Sequence, residues 1–317
     1  MRVQTRAPGR RKSSARRWQP TWRNGRRWSL PPGSRSSERL CADKGGGVTR
    51  LAGKVAFLTG GGAGIAKVSA IEFVKEGAKV AIVDINEEAG RQAEREIKAA
   101  GGDVIFIAAD VTQESAVKAA IDAAAARFGK LNVLVNCAGG SLLEDLPVHQ
   151  MSLEVWHKTI ALNLLHPFLV CKHGIPQLIA AGGGSIVNFS SMVGMTGLYR
   201  PAYAAAKGGI MSFTKTLAAQ YVQYGIRANA IGPGSIRTER HIKRYENKDW
   251  LHSEKPTGAA LERIVAQKLY PFSVGDPIDI AKIVVFLASD ESRMLTGTTI
   301  AADGGRSSYL KVYAGAD

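Results

Sequence analysis

Two side chains four positions apart, Tyr203 and Lys207, form a Tyr-x-x-x-Lys arrangement that small residues, Gly208 and Gly209, follow. On a helix, residues at this spacing share one face, with Cβ atoms about 5–6 Å apart. An ammonium held that close favours the phenolate and draws the tyrosine down from its reference value near 10 towards working pH. A tyrosine of that kind can take or give a proton. Ser191 lies twelve residues earlier, at the end of the β-rich run Ser185-Ile-Val-Asn-Phe-Ser-Ser191. Its hydroxyl could hydrogen-bond the same substrate oxygen that Tyr203 serves.

A second constellation lies upstream. Val55-Ala-Phe-Leu-Thr59 reads as a buried strand and runs into Gly60-Gly-Gly-Ala-Gly64. A helical pattern from Ile65 to Glu76 follows, ended by Gly77, and a second apolar strand, Lys79 to Val83, finishes in Asp84. This is a β-α-β unit of the length expected for parallel strands joined by a crossover helix. Glycines let a backbone approach a pyrophosphate, and a helix N-terminus supplies N–H donors and positive dipole. Asp84 stands 20 residues beyond Gly64, where a carboxylate can accept hydrogen bonds from an adenosine ribose.

The elements that must position these groups keep alternating. Helix Glu87 to Ala100, strand Val104 to Ala109 with Asp110-Val111, helix Glu114 to Phe128 and strand Leu131 to Val135 come next. Asn136-Cys-Ala-Gly139 then leads to one long helix, Leu153 to Ile179, with Asn163 inside it. Strand Ser185 to Phe189, the Tyr203 helix through Tyr221, strand Arg227 to Ile231 and Gly232-Pro-Gly234 follow. A final helix, Ile278 to Ser289, and a short strand, Thr298 to Ala302, close the pattern. The expectation is α/β: one domain with a doubly wound, Rossmann-like parallel sheet covered on both faces. Ligands of such sheets bind at the carboxyl ends of the strands, where Gly60, Asp84, Asp110, Asn136, Ser191 and Pro233 all fall.

Charge separates the domain from what precedes it. The net charge of the 317 residues is +15, but residues 1–50 hold 14 Lys and Arg against 2 Asp and Glu, leaving +3 for the rest. Residues 1–47, rich in Arg, Ser, Gly and Pro, show no hydrophobic periodicity and read as a disordered basic tail. A basic arm, a transit peptide and a stretch outside the native coding sequence compete. The third is favoured, with Val48 as initiator and a domain over 48–317; the intact mass of the protein made from its native locus decides it. The cysteines, Cys41, Cys137 and Cys171, lack paired or metal-like spacing, which points to a reducing, cytoplasmic setting. No apolar run is long enough to span a membrane. His149, His157, His166 and His173 are spread through helical sequence and read as structural or exposed, so no metal is expected.

With these residues in hand, the chain from Val48 to Gly305 resembles the short-chain dehydrogenase/reductase family. Thr59-Gly-Gly-Gly-Ala-Gly-Ile65 matches its glycine motif, Thr-Gly-x-x-x-Gly-x-Gly, with Ala66 in place of the last glycine. Asn136-Cys-Ala-Gly139 is one residue from the common Asn-Asn-Ala-Gly, and Pro233-Gly-Ser-Ile-Arg-Thr238 and Asp303-Gly-Gly305 are also family-like. The resemblance implies a catalytic set of Asn163, Ser191, Tyr203 and Lys207. Asn163 would hold a water linking Lys207 to solvent, and Lys207 would also hold the nicotinamide ribose. The implied cofactor site takes in Gly60, Gly62, Gly64, Ile65 and Asp84, then Asp110, Val111, Asn136, Ala138 and Gly139. It continues through Tyr203, Lys207, Pro233, Ile236 and Thr238.

Asp84 would repel a 2′-phosphate, and no Arg or Lys lies in Gly60–Ala66 to hold one, so NAD is favoured over NADP. The expected activity is interconversion of a secondary alcohol and a ketone, by a homotetramer or dimer acting on a small molecule, with no nucleic-acid or membrane partner. An NADPH-dependent 3-oxoacyl-thioester reductase is the alternative enzyme. A non-catalytic nucleotide-sensing or nucleic-acid-binding protein using the basic tail is the alternative outside enzymes. The charged segment near 235–270, with Arg240 in it, reads as a lid. Ser141 to Leu146 and Met192, Met195, Leu198 and Tyr199 are expected to wall the substrate pocket.

Overall fold

The computed structural model describes residues 49–197, 200–246, 272 and 274–308. The expected segment 1–47, the pocket-wall residues Leu198 and Tyr199, and residues 247–270 of the expected lid lie outside the described residues.

Strand β1 (Val55–Thr59) is followed by α1 (Gly64–Lys75), β2 (Lys79–Asp84), α2 (Glu87–Ala99), β3 (Val104–Ala108), α3 (Glu114–Phe128) and β4 (Val133–Asn136). The second half runs α4 (Leu153–Ile160), a π-helical turn (Ala161–Leu165), α5 (His166–Ala180), β5 (Gly184–Phe189), α6 (Met192–Thr196), α7 (Pro201–Tyr221) and β6 (Ile226–Pro233). Strand β7 (Ser235–Ile236), α8 (Glu239–Glu246), β8 (Val274–Gly275), α9 (Pro277–Ala288) and β9 (Thr299–Ala302) complete it.

Seven strands form one parallel sheet in the order β3-β2-β1-β4-β5-β6-β9. Successive side chains of a strand point to opposite faces, and here both faces are covered. Ala56 and Leu58 pack with α1, α2 and α9 through Phe73, Ile97 and Val284. Val55 and Phe57 pack with α3, α5 and α7 through Ile121, Val170 and Leu217. That is why the strands read as continuous apolar runs with no alternation. Strand order reverses between β1 and β4, which opens a crevice at their carboxyl ends.

The single long helix expected over Leu153 to Ile179 is instead α4, a π turn and α5. Pro167, the second residue of α5, has no N–H to continue an α-helical ladder across the junction. Among the described residues, no helix is long and apolar enough to cross a membrane.

Candidate active site

A cleft of about 620 Å³ opens at the reversal point. Of the residues the sequence placed in the cofactor site, Gly60, Gly64, Ile65, Asp84, Asp110, Val111, Ala138, Gly139 and Thr238 line it. Helix α1 starts at Gly64 with no side-chain cap and no acid in its first turn. Its first N–H groups therefore remain available to a phosphate, with the helix dipole behind them. Ala66, where the family motif has its last glycine, is buried and lines the cleft.

Asp84, ending β2, accepts from the backbone N of Gly62 at 3.0 Å and of Asn86 at 3.0 Å. A Cβ on Gly62 would stand 2.9 Å from Asp84 Oδ2, so the motif's middle glycine makes room for the carboxylate and lines no wall itself. Asp110 closes a tight turn by accepting from Thr112 N at 2.9 Å and Thr112 Oγ1 at 2.7 Å. These residues fit a dinucleotide: a glycine cradle, an uncapped helix start and a carboxylate one strand over.

Besides Gly62, the expected cofactor residues Asn136, Pro233, Ile236, Tyr203 and Lys207 are not among the residues lining the cleft. Asn136 is buried, with its Nδ2 donating to Asn188 Oδ1 at 2.8 Å, and Asn188 donates on to Thr214 of α7 at 2.9 Å. Its side chain ties β4 to β5. Pro233 is the last ladder residue of β6, opposite Ala302, and Ile236 is buried in the core beside α9.

The expected catalytic residues gather beyond Gly139. A Cβ there would lie 2.7 Å from Asn163 Oδ1 and 3.3 Å from Lys207 Nζ, so both reach the edge of the cleft across a residue with no side chain. Lys207 is buried; its Nζ donates to Phe189 O at 2.8 Å and lies 5.6 Å from the centre of the Tyr203 ring. Burial lowers the Lys207 ammonium to about 8 from its usual 10.5, with the neighbouring Cys137 opposing the shift. Burial pushes the Cys137 thiol up to about 12, so it stays protonated. Ser191 is nearly buried, caps α6 by accepting from Val193 N at 3.2 Å, and keeps its hydroxyl proton to donate. Ser190 donates to Lys207 O at 2.8 Å and ties the end of β5 to the catalytic helix.

The Asn163 amide is engaged throughout: its Oδ1 accepts from Gly140 N at 2.9 Å, and its Nδ2 donates to Gly140 O at 3.1 Å and Thr159 O at 3.0 Å. Its side chain thus fastens the loop after β4.

Other site residues escaped the sequence reading. Asp145 is buried and accepts from Ala202 N at 3.1 Å and Tyr203 N at 2.9 Å, capping α7 from the loop after β4. The signal was a missing one: Tyr199-Arg-Pro201 offers no Ser, Thr, Asp or Asn to cap the helix. Arg240 of α8, read as part of a lid, crosses the mouth of the cleft and donates to Gly139 O at 3.2 Å and Ser141 O at 2.9 Å. The Thr59 hydroxyl accepts from Cys137 N and Ala138 N, each at 3.1 Å, and joins the ends of β1 and β4. Among the described residues, no group of His, Cys, Asp and Glu could hold a metal ion.

Comparison with known proteins agrees with this geometry. Residues 60–307 match a family model described as enoyl-(acyl carrier protein) reductase. The chain is 41% identical over 257 residues to 2,5-dichloro-2,5-cyclohexadiene-1,4-diol dehydrogenase of Sphingobium indicum, covering 81% of this chain and 97% of that protein. It is 36% identical to D-threitol dehydrogenase of Mycolicibacterium smegmatis, over 81% of this chain and 94% of that one. Among solved structures, levodione reductase superposes with a TM-score of 0.75 at 31% identity, covering 82% of this chain and all (100%) of that chain. NAD+-bound xylitol dehydrogenase superposes with a TM-score of 0.74 at 30% identity, over 81% and 100%. With a cleft, a Tyr/Lys helix and relatives of this kind, the chain belongs to the short-chain dehydrogenase/reductase family and is an alcohol oxidoreductase of that type.

Proposed function

We propose that the protein interconverts a small secondary alcohol and its ketone with NAD as cofactor, Tyr203 exchanging the proton with the substrate oxygen. The observation that carries this reading is the buried Lys207 ammonium, set beside the Tyr203 ring and against Gly139 at the edge of the cleft. A cation so placed stabilises a phenolate, and removal of a proton by Tyr203 leaves the charge where Lys207 can meet it. Ser191, held at the start of α6, donates to the substrate oxygen as charge develops there. The dinucleotide supplies the hydride acceptor or donor when bound.

Asp84 supports NAD over NADP. Its carboxylate would accept from ribose hydroxyls and repel a 2′-phosphate. Among the cleft-lining residues the cation is Arg240, engaged with Gly139 and Ser141 beyond β4, about two strand spacings or roughly 10 Å from the end of β2. The names of the relatives, a cyclic diol dehydrogenase and a threitol dehydrogenase, support small alcohols as substrates. Exposed Leu165, at the end of the π turn, and Phe168 on α5, the latter 6.3 Å from the Phe213 ring on α7, support a homo-oligomer, tetramer or dimer.

The test is NADH formation with a panel of cyclic diols, polyols and hydroxy acids, on wild type beside Tyr203→Phe. Loss of roughly 100- to 10,000-fold in kcat with NAD+ affinity retained is expected. Turnover that survives in the variant refutes the role of Tyr203, and a wild type that does not bind NAD+ refutes the cofactor reading. Faster turnover of a 3-oxoacyl thioester with NADPH would favour a thioester reductase instead.

A further inference from the structure

His166 is the one fully buried histidine among the described residues, and the chemistry proposed above does not use it. It sits where the π turn meets α5, and the backbone there has a specific deficit. The His166 N–H donates to Ala161 O, five residues back, and so bypasses Leu162 O, its α-helical partner. The next residue is Pro167, which has no N–H to offer. Leu162 O is thereby cut off from both helical donors, and a buried carbonyl without a donor is costly. The His166 ring fills the gap, with Nδ1 2.7 Å from Leu162 O.

A carbonyl only accepts, so Nδ1 carries the proton. Burial lowers the ring to about 3, so it is neutral and Nε2 is an acceptor. Nε2 lies 3.0 Å from Thr59 Oγ1, whose other acceptor, Val135 O, is farther at 3.4 Å. The Thr59 proton therefore goes to His166, and both its lone pairs stay free to take Cys137 N and Ala138 N. One imidazole thus links the end of β1, the loop after β4 and the π turn that carries Asn163. Asn163 in turn holds Gly140 of that same loop.

We propose that His166 is a positioning residue for the cofactor cleft: as the neutral Nδ1–H tautomer it stabilises the π turn under Asn163 and orients the Thr59 hydroxyl that fixes the Cys137–Gly139 loop. The effect on cofactor rests on the dinucleotide reading of the cleft, whereas the tautomer and the network do not.

Two measurements test it. In wild type, 15N NMR of the histidine ring should show a neutral Nδ1–H tautomer that does not titrate down to about pH 4; an Nε2–H tautomer, or titration near pH 6, overturns the proposal. The second is NADH affinity at a temperature well below unfolding. His166→Leu removes both ring bonds and should weaken binding about tenfold or more. The loss should be non-additive with that of Thr59→Val, because both break one network. His166→Gln, whose amide can donate to Leu162 O and accept from Thr59, should recover most of the affinity. Unchanged NADH affinity in His166→Leu, additive losses, or equal losses in Leu and Gln overturn the positioning role. A wild type that binds no NADH condemns the cofactor reading instead, and the NMR result then decides the network alone.

Discussion

Replacing Lys207 with Met should make the protein more stable while abolishing its activity, and the gain should depend on pH in one direction. The Lys207 ammonium is buried, and burial lowers it from 10.5 to about 8. That corresponds to about 3 kcal/mol. Below about pH 8 both folded and unfolded chains hold the proton, and the folded chain bears this cost in full. Between about 8 and 10.5 the unfolded chain binds more protons than the folded one, so wild-type stability gains from Lys207 as pH rises. Met fills a similar volume without charge, but it leaves Phe189 O without the 2.8 Å bond from Nζ. An orphaned buried acceptor costs about 1–3 kcal/mol. The net gain at pH 7 is then up to about 2 kcal/mol, a rise in Tm of up to about 8 °C for a domain of this size. Differential scanning calorimetry of both proteins across pH 7 to about 10.5 reads the difference directly, since the other titrating groups are common to both. The advantage of the variant should shrink by about 3 kcal/mol over that window. A difference that stays flat with pH, or a variant less stable at pH 7, would refute the claim that Lys207 is held in an unfavourable charged state for function.

Two further outcomes follow from single contacts. Asp84→Ala should narrow the proposed preference for NAD over NADP by about tenfold to a hundredfold, chiefly by improving NADP binding, because a carboxylate that would repel a 2′-phosphate is gone; titration with both cofactors reads it, and an unchanged ratio places discrimination elsewhere. Arg227→Ala should lower stability by about 2–4 kcal/mol in urea melts. It removes a guanidinium that donates to Leu287 O and Ser289 O at 2.9 Å each, at the end of α9, and to Ser292 Oγ at 2.8 Å. Activity per folded molecule should persist, since Arg227 lies at the opposite, amino-terminal end of β6 from the cleft.

The sequence carried the fold because its strands are buried on both faces, so apolar runs and glycine-marked turns stood out with no alternation to confuse them. The placement of Gly60 and Asp84 at the cleft and of Lys207 beside Tyr203 was legible for a related reason: each follows from a local pattern of the chain. What was not legible depends on groups brought together by the fold. Asp145 caps α7 from 57 residues away, and Arg240 reaches Gly139 from 101 residues away. No periodicity encodes such pairs. The contact of Asn136 with Asn188 was not legible because a motif names a residue without saying which side chains the fold sets beside it.

The π turn is the instructive middle case. Leu162 to Pro167 carry a helical pattern, so a continuous helix was the natural expectation, yet Pro167 alone announced that a backbone donor would be missing. A proline inside a helix normally costs about 3 kcal/mol or more. The chain keeps it because the break is satisfied twice over: His166 N turns to Ala161 O, and the His166 ring takes the carbonyl left behind. The register shift that results sets Asn163 against Gly140, beside Lys207. A residue that breaks the local rule and a neighbour able to repair the break are therefore best read together, and here the pair marks the place where the helix was bent to serve the cleft.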